Sequence, residues 1–474
     1  MPNFSSRLLR ALLLVPLAGA AQTPPASFGA VATYSTGSNS TGSNQPVGIA
    51  VADINGDNKP DLITAHFSSS TVEVLLGTGA GGFGSITTFS AGSSSNPDDL
   101  AVADVNGDGK LDIVTANGSG LGAGVLLGTG TGSFGPATIF STSTSNGANR
   151  ITVADVNGDG KPDILTTDTD AANSTAKVLL GTGTGSFGPP MIFSLGTSSI
   201  PVDIVVADVN GDSKPDILTA NNLIGTVGVL LGTGTGTFGT MAAFSVGTGS
   251  RPNGLSVADV NGDGKPDVLT ANGNTGTVAV LLGTGTGGFG TANTYFISGS
   301  GVPYAVAVAD VNGDGKPDLL TANYGANTAG VLLGTSTGSF GAVTTFNTGS
   351  NSQPAAIAVA DVNGDRRPDL LTANTGTNTL GVLLNTGTYP LASPAALAAE
   401  IGEAYPNPAH DHLQLKLPAG AVQATLLDAL GQVVRQQTGA GPGLTLETAG
   451  LAAGVYVLRL QAGGATLARR VVLD

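Results

Sequence analysis

The chain has 474 residues, a formal net charge of -15, 73 glycines, 25 prolines and no cysteine. The lack of cysteine excludes disulfides and thiolate metal sites. Because only 18 lysines and arginines oppose 33 acidic residues, the sequence predicts no nucleic-acid partner and no affinity for anionic membrane surfaces.

Residues 1–21 have the three parts of a signal peptide. Arg7 and Arg10 provide the basic region, residues 11–17 provide a short apolar region, and Ala18-Gly19-Ala20 is a cleavage signature. A short buried helix is the alternative interpretation. No other stretch approaches the roughly 20 apolar residues that a membrane-spanning helix requires. We therefore expect an exported chain without a membrane span.

The central part of the chain repeats one nine-residue stretch, DVNGDGKPD or a close variant, seven times. The copies begin at Asp53, Asp104, Asp155, Asp208, Asp259, Asp310 and Asp361. Successive copies lie 51, 51, 53, 51, 51 and 51 residues apart. This even spacing indicates one structural unit copied seven times.

Each unit contains four short strand-like runs separated by turns. In the sixth unit the runs are AVAVADV, PDLLTAN, AGVLLGT and FGAVTTF. They are rich in small and β-branched residues, and no helical period is present. Four strands in each of seven units predict an all-β fold, a seven-bladed β-propeller over residues 27–388. A solenoid is the alternative.

A Phe-Gly pair opens the fourth run of each unit, and one copy, Phe28-Gly29, precedes the first aspartate loop. The chain offers no further copy after the seventh loop. We therefore predict that the strand from Phe28 to Tyr34 completes the seventh blade and closes the ring. The alternative is that this strand belongs to the first blade.

The aspartate loops have the composition of a calcium site. Side-chain oxygens at positions 1, 3, 5 and 9 and a main-chain carbonyl at position 7 resemble the ligand spacing of an EF-hand loop. Position 12, acidic in an EF-hand, is threonine in every copy, so we expect the ninth-position aspartate to replace it. Calcium is favoured over magnesium, which prefers tighter octahedral geometry. The alternative is a metal-free cluster of turns.

We expect about one Ca²⁺ per blade, up to seven, in a structural role. The predicted ligands at positions 1, 3, 5, 7 and 9 of the seven loops are Asp53, Asn55, Asp57, Lys59 and Asp61; Asp104, Asn106, Asp108, Lys110 and Asp112; Asp155, Asn157, Asp159, Lys161 and Asp163; Asp208, Asn210, Asp212, Lys214 and Asp216; Asp259, Asn261, Asp263, Lys265 and Asp267; Asp310, Asn312, Asp314, Lys316 and Asp318; and Asp361, Asn363, Asp365, Arg367 and Asp369.

With these Phe-Gly pairs and aspartate loops, the units resemble FG-GAP repeats, also described as VCBS repeats, of the kind found in the propeller of integrin α-subunits. The resemblance implies a seven-bladed propeller with calcium in the loop between the first two strands of a blade. Position 6, usually glycine, is Asn58, Ser213 and Arg366 in three loops. Arginine suits a positive φ poorly, and Arg366 and Arg367 add charge beside the cation. We therefore predict that the seventh site is the weakest.

The composition changes after Tyr389. Residues 389–400 are an alanine-rich linker, and alternating runs in residues 401–474 predict a small β-sandwich. The stretches YPNP, LGQVV and GVY in this segment resemble the C-terminal sorting domain of the bacterial type IX secretion route. The resemblance implies transport across the outer membrane by the type IX machinery, and a secreted or cell-surface location.

Two groups of polar and aromatic residues differ between blades and are candidate ligand-binding residues. Asp99, Arg150 and Asp203 follow the start of the first strand in blades two to four, where we expect them to ring one mouth of the central channel, opposite the aspartate loops. His66, Tyr304 and Tyr324 are expected in nearby loops on that face. The alternative for the charged group is a surface salt bridge, worth under about 1 kcal/mol.

The other motifs give little indication of function. The GTGTG stretches lack the following Lys-Ser/Thr of a phosphate-binding loop, and hairpin turns explain them. Only three histidines exist, and no catalytic triad can be drawn. We therefore expect a non-enzymatic adhesion or recognition module for a glycan or an extracellular protein. The alternatives are a polysaccharide lyase or hydrolase on a propeller scaffold, and a structural surface-coat protein.

Overall fold

The structure is a computed structural model. It describes residues 25–37, 44–119, 122–142, 148–169, 174–297, 301–387, 409, 411–415, 421–428, 432–440, 444–462 and 465–473. The predicted signal peptide and the predicted linker lie outside these residues. Within them, no helix is long and apolar enough to cross a membrane.

The repeat region contains 28 strands and one short 3₁₀ helix, η1 (Tyr324–Ala326), among the described residues. The strands are β1 (Ala32–Ser35), β2 (Pro46–Ala52), β3 (Asp61–His66), β4 (Thr71–Gly77), β5 (Phe83–Ser90), β6 (Pro97–Ala103), β7 (Asp112–Asn117), β8 (Gly122–Leu126), β9 (Thr138–Phe140), β10 (Arg150–Ala154), β11 (Asp163–Asp168), β12 (Thr175–Leu179), β13 (Met191–Ser194), β14 (Pro201–Ala207), β15 (Asp216–Asn221), β16 (Thr226–Leu230), β17 (Ala242–Ser245), β18 (Pro252–Ala258), β19 (Asp267–Asn272), β20 (Thr277–Leu281), β21 (Asn293–Phe296), β22 (Pro303–Ala309), β23 (Asp318–Asn323), β24 (Thr328–Leu332), β25 (Thr344–Asn347), β26 (Pro354–Ala360), β27 (Asp369–Asn374) and β28 (Thr379–Leu383).

These strands form seven antiparallel sheets of four strands each. Six sheets use consecutive strands, from β2-β3-β4-β5 to β22-β23-β24-β25. The seventh has the order β1-β28-β27-β26, with Tyr34 opposite Leu380 and a bridge between Phe28 and Asn385. The prediction that the Phe28–Tyr34 segment completes the seventh blade is therefore confirmed.

The seven sheets form a ring. The first strands of successive blades contact each other from β2 to β26, and β26 in turn contacts β2. The arrangement is the predicted seven-bladed propeller, in which closure leaves only short outer edges. The first strand of each blade therefore lines the centre, and the fourth strand lies at the rim.

The core lies between blades. All six residues of the second strand are buried in every blade. Apolar clusters combine neighbouring blades: Leu218 and Val229 of blade four pack with Val268 and Leu281 of blade five. Each blade therefore completes its hydrophobic core only against its neighbour.

Aromatic pairs also join each blade to the next. The Phe of each Phe-Gly pair meets, edge to face, the aromatic residue on the fourth strand of the preceding blade, with ring centroids 5.0 to 5.5 Å apart. The seven pairs are Phe28–Phe346, Tyr34–Phe83, Phe89–Phe134, Phe140–Phe187, Phe193–Phe238, Phe244–Phe289 and Tyr295–Phe340. Such T-shaped contacts add to the energy of apolar burial.

The C-terminal region is rich in strands, and these form two sheets. The strands are β29 (His412–Leu415), β30 (Ala421–Leu427), β31 (Val433–Ala440), β32 (Leu444–Glu447), β33 (Gly454–Ala462) and β34 (Ala465–Leu473). β29 pairs with β32, and the other four form a sheet in the order β31-β30-β33-β34. Leu413 and Leu446 of the first sheet share one core with Leu426 and Leu458 of the second, as expected for a small sandwich.

Candidate functional site: the aspartate loops and the opposite face

Each aspartate loop joins the first and second strands of one blade, as the sequence predicts. In blade five, β18 ends at Ala258 and β19 begins at Asp267, so the ninth-position aspartate is the first residue of the second strand. The seven loops therefore lie at one end of the blades. The turns between the second and third strands, including η1, lie at the other end.

The first aspartate of each loop organises the turn by accepting main-chain hydrogen bonds. In blade five, Oδ1 of Asp259 accepts from the N–H of Gly262 at 2.7 Å and of Asp263 at 3.2 Å, and Oδ2 accepts from Gly264 at 2.7 Å. Gly262 and Gly264 have φ of 76° and 79°, where glycine is favoured. Bonds to positions 4 and 6 recur in all seven loops.

Three loops adopt the same turn without glycine at position 6. Asn58, Ser213 and Arg366 have φ of 61°, 62° and 65°, so the predicted positive φ is confirmed at this position. Asparagine tolerates this conformation better than serine or arginine. The fourth and seventh loops, with Ser213 and Arg366, are therefore more strained than the other five.

Positions 3, 5 and 7 form a second set of bonds on the exposed side of the loop. In blade five, Oδ1 of Asn261 accepts from the N–H of Asp263 at 2.8 Å, and Oδ1 of Asp263 accepts from the N–H of Lys265 at 3.0 Å. The Lys265 ammonium lies 3.4 Å from Oδ2 of Asp263. The N–H of Lys265, together with its ammonium, lowers the pKa of Asp263, although desolvation opposes the shift.

The ninth-position aspartate is fully buried and ties the loop to the third strand. In blade five, Oδ2 of Asp267 accepts from the N–H of Val260 at 3.0 Å, and Oδ1 accepts from the N–H of Gly283, which follows β20, at 2.7 Å. The same two bonds occur in all seven blades. Burial raises the pKa of this group, to about 6 in Asp318 and Asp369.

The loops offer the types of oxygen donor that a hard cation binds, but their acidic side chains do not converge on one point. Positions 1, 3 and 5 offer carboxylate, amide and carboxylate oxygens, the donor types that calcium prefers. Among the described residues, however, no three acidic or histidine side chains converge closely enough to hold a metal ion. The position-5 carboxylate faces the position-7 side chain instead, and the ninth aspartate is held by two N–H donors.

Asp99 and Asp203, on the first strands of their blades, bond to the main chain of the next blade. Oδ2 of Asp99 accepts from the N–H of Ile151 at 3.2 Å, and Oδ2 of Asp203 accepts from the N–H of Leu255 at 2.7 Å. Their other oxygens accept from the N–H of the following residue. Both carboxylates therefore connect neighbouring blades.

Arg150 lies between these two aspartates along the ring. Its guanidinium donates to the carbonyls of Asn149 at 3.0 Å and Asp98 at 3.4 Å. Among the described residues, no carboxylate lies within 4.0 Å of this guanidinium. Burial raises the pKa of Asp203 to about 7 and of Asp98 to about 6, although the charge of Arg150 opposes both shifts. The structure thus brings Asp99, Arg150 and Asp203 together as a partly buried group.

His66 differs from the prediction, because its side chain is fully buried. It replaces an asparagine at the end of the second strand and lies 3.3 Å from Oε2 of Glu73, which is 2% exposed. Asn117, the equivalent residue in blade two, packs over Gly124 at the position of Glu73. His66 and Glu73 therefore fill one interior position, and His66 does not belong to an exposed ligand-binding face.

Blade three contains a second buried pair of ionisable side chains at the same position. Asp168 and Lys177 lie 2.9 Å apart and are 8% and 4% exposed. Sequence reasoning missed Glu73 and Lys177. The available signal was that each replaces a small residue of the third strand in the same blade in which the usual asparagine is replaced.

Tyr304 and Tyr324 lie together at the end opposite the aspartate loops, although Tyr304 belongs to β22 and not to a loop as predicted. Their half-buried rings stack with centroids 4.9 Å apart and an angle of 30° between planes. The hydroxyl of Tyr324 donates to Oε1 of Gln353 in the next blade at 3.2 Å. Gln353 was not identified from the sequence, because no motif marks it.

Two of the cavities on the described part of the propeller are of interest for ligand binding. One of about 360 Å³ is lined by residues that follow Tyr324 and by the outer part of blade six: Ala326, Asn327, Thr328, Thr345, Asn347, Gly349 and Ser350. The other, about 330 Å³, lies between the first and seventh aspartate loops and includes Asp53, Lys59 and Asp361. Each is large enough for a small ligand.

Comparison with known families agrees with both sequence resemblances. The FG-GAP-like repeat matches residues 53–115, 114–166, 169–219, 208–270, 259–321 and 310–372, together more than half of the chain. The secretion system C-terminal sorting domain matches residues 403–474. Comparison with curated proteins finds no significant match.

Solved structures share the fold at low sequence identity. A virginiamycin B lyase from Staphylococcus aureus is 15% identical with a TM-score of 0.55, over 75% of this chain and 99% of that one. A streptogramin B lyase is 16% identical with a TM-score of 0.54, over 75% and 97%. BBS1N in complex with ARL6DN is 13% identical with a TM-score of 0.52, over 76% and 96%. At these identities the likeness concerns the fold alone.

Proposed function

Because the chain belongs to the FG-GAP-like repeat family and ends in a type IX secretion sorting domain, we propose that it is a calcium-stabilised recognition module that binds a glycan or an extracellular protein. The sorting domain indicates secretion to the cell surface or the extracellular space and implies contact with the type IX machinery. Adhesion or recognition through the propeller is the proposed task in that location.

The observation that carries this proposal is the difference between the two ends of the propeller. The aspartate loops have one structure in all seven blades, down to the bonds of the first and ninth aspartates. The opposite end carries a different set of side chains in each blade, among them Asp99, Arg150, Tyr304 and Tyr324. Binding residues are commonly carried by variable segments that a rigid scaffold positions, and the divergent end has this character.

In this proposal calcium has a structural role. The first and fifth positions of each loop would supply carboxylates, the third an amide and the seventh a main-chain carbonyl. When bound, the cation supplies charge neutralisation and cross-linking within the loop. The position-7 ammonium now contacts the position-5 carboxylate and would have to move away, and the ninth aspartate would keep its two main-chain bonds.

The magnitude suits a chain without disulfides. Extracellular calcium modules bind with dissociation constants of about 0.1–1 mM. At a tenfold excess over the dissociation constant, each site adds roughly 1.4 kcal/mol to the free energy of unfolding. Several such sites together are comparable to the total stability of a typical domain, about 5–15 kcal/mol.

The raised pKa values of the aspartates near Arg150 give little support to an enzymatic function. Both oxygens of Asp203 accept main-chain hydrogen bonds, and burial accounts for most of the shift. A general acid needs a proton that can reach a substrate. We therefore assign these aspartates to the connection between blades, and the proposal remains a binding protein.

The proposed function is tested by presenting the purified full chain to an array of glycans and matrix proteins, with calcium and again with EDTA. We expect retention on a defined class of ligand that weakens in EDTA. Circular dichroism must show that the chain is folded under both conditions. A folded chain that is retained on no member of the array contradicts the proposal.

A further inference from the structure

Blade six departs from the other blades at the end opposite the aspartate loops. Its turn between the second and third strands contains η1, the one 3₁₀ helix of the described repeat residues. It also holds the stacked pair Tyr304 and Tyr324, whereas the other aromatic contacts among the described residues are edge to face. Neither feature is needed to build a blade, because the other six blades form without them.

Amide side chains extend this feature across neighbouring blades. The Asn222 amide of blade four donates to Oδ1 of Asn253 of blade five at 2.9 Å, and Nδ2 of Asn253 lies 3.4 Å from the carbonyl of Pro303, next to Tyr304. On the other side, Tyr324 bonds to Gln353 of blade seven. A row of uncharged hydrogen-bonding groups therefore flanks the tyrosine pair.

The larger cavity begins where η1 ends. Its polar lining consists of Asn327, Thr328, Thr345, Asn347 and Ser350, and Oδ1 of Asn327 accepts from the N–H of Gln353 at 2.9 Å. The cavity and the tyrosine pair are therefore connected through Gln353. None of the residues that line the cavity carries a charge.

From this geometry we propose that blade six and the adjoining edge of blade seven bind an uncharged carbohydrate, with Tyr304 and Tyr324 as the aromatic surface and the amide and hydroxyl groups as hydrogen-bonding partners. A sugar ring presents C–H groups on its faces and hydroxyls at its rim. The C–H groups pack against aromatic rings, and the hydroxyls both donate to and accept from amides and hydroxyls.

The observations favour this class over two others. A sulfated or uronic acid glycan calls for basic side chains, and the lining residues of the cavity supply none. A protein partner calls for an apolar centre with large anchoring side chains, whereas the cavity is lined by small polar residues and by Ala326 and Gly349. This inference rests on the proposed recognition function and narrows its ligand to one class.

The test measures binding of the full chain to cellohexaose, mannohexaose, xylohexaose and chitohexaose by isothermal titration calorimetry, with polygalacturonate as the charged comparison. We expect one neutral oligosaccharide to bind. Tyr324→Ala should weaken that binding at least tenfold, and Tyr304→Ala should weaken it similarly. Tyr324→Phe keeps the ring but loses the bond to Gln353, and should weaken binding only a few-fold.

Phe67→Ala is the matched control. Phe67 follows the second strand of blade one in the place that Tyr324 holds in blade six, is half-buried, and lies outside the proposed site. This variant should bind the oligosaccharide as the unaltered chain does. Circular dichroism of each variant separates loss of binding from loss of fold.

The outcomes distinguish this inference from the proposed function. If a neutral oligosaccharide binds and the tyrosine variants bind it equally well, the site is wrong and recognition stands. If only polygalacturonate or a matrix protein binds, the ligand class is wrong and recognition stands. If the folded chain binds no glycan and no matrix protein, both are wrong.

Discussion

The two ends of the propeller differ in how much they vary between blades. At one end, seven aspartate loops repeat the same hydrogen bonds, and the three substitutions at position 6 leave the turn unchanged. At the other end, the residues equivalent to Arg150 in the other blades are aspartate, glycine or alanine. The comparison indicates that repetition here marks the parts that hold the ring together, whereas our proposed function assigns recognition to the end where the repeats diverge.

The largest expected effect of a single change lies in the uniform end, at the ninth aspartate. Asp267→Ala leaves the buried N–H of Val260 and the partly buried N–H of Gly283 without an acceptor, at about 1–3 kcal/mol each. We expect a loss of about 4 kcal/mol in the free energy of unfolding, measured by urea denaturation in EDTA. Asp267→Asn keeps one acceptor and should lose roughly half as much.

Asp263→Ala is the control for this prediction, because Asp263 is exposed and belongs to the same loop. In EDTA it should cost less than about 1 kcal/mol. Equal losses for Asp267→Ala and Asp263→Ala in EDTA would show that the ninth aspartate has no special structural role.

A second prediction concerns the aromatic pairs between blades. Phe289→Ala removes a half-buried ring that meets Phe244 of the preceding blade with centroids 5.3 Å apart. We expect a loss of about 2 kcal/mol, below the value for a fully buried phenylalanine. Phe28→Ala should cost a similar amount, because Phe28 makes the same contact with Phe346 at 5.0 Å. A negligible effect at Phe28 would contradict closure of the ring by the N-terminal strand.

A third prediction uses the raised pKa of Asp203, about 7 in the folded chain. The folded state keeps this proton between about pH 4 and pH 7, where the unfolded state has lost it, so stability falls as pH rises through that window. Solvent screening at this half-buried position reduces the contribution to about 1–2 kcal/mol. Asp203→Asn should flatten the pH dependence of unfolding by that amount.

Arg150→Met provides a change of opposite sign. The arginine charge opposes the raised pKa of Asp203, so its removal should steepen the fall in stability between pH 4 and pH 7. If both variants keep the pH profile of the unaltered chain, burial of Asp203 does not control its protonation.

The smallest expected effect is a difference in calcium-dependent stability between the fifth and the seventh aspartate loops. Asp259→Ala should remove one calcium contribution of roughly 1.4 kcal/mol at a tenfold excess of calcium over the dissociation constant. Asp361→Ala should remove less, because Arg366 holds a strained φ of 65° and Arg367 lies 3.9 Å from Asp365. Unfolding with and without calcium measures the difference, and equal calcium-dependent losses would refute a weaker seventh site.

The repeat spacing and the position of the Phe-Gly pairs were enough to predict the blade count, the loop positions and the closing strand. The role of the ninth aspartate was not predictable, because its partner in blade five, Gly283, lies 16 residues away and is placed by strand pairing. The burial of His66 could be recognised only when the structure placed Glu73, from the neighbouring strand, 3.3 Å from it. Interactions within one loop can be predicted from the sequence, whereas interactions between strands can be identified only once the strand pairing is known.

The most direct test of the account is a calcium titration of the full chain followed by thermal unfolding. The account predicts that calcium binds at the aspartate loops, with up to seven ions per chain, and raises the unfolding temperature by several degrees. Tyr324→Ala should keep this response unchanged, because its site lies at the other end of the blades. No bound calcium, or an unfolding temperature that is the same in calcium and in EDTA, would contradict the account.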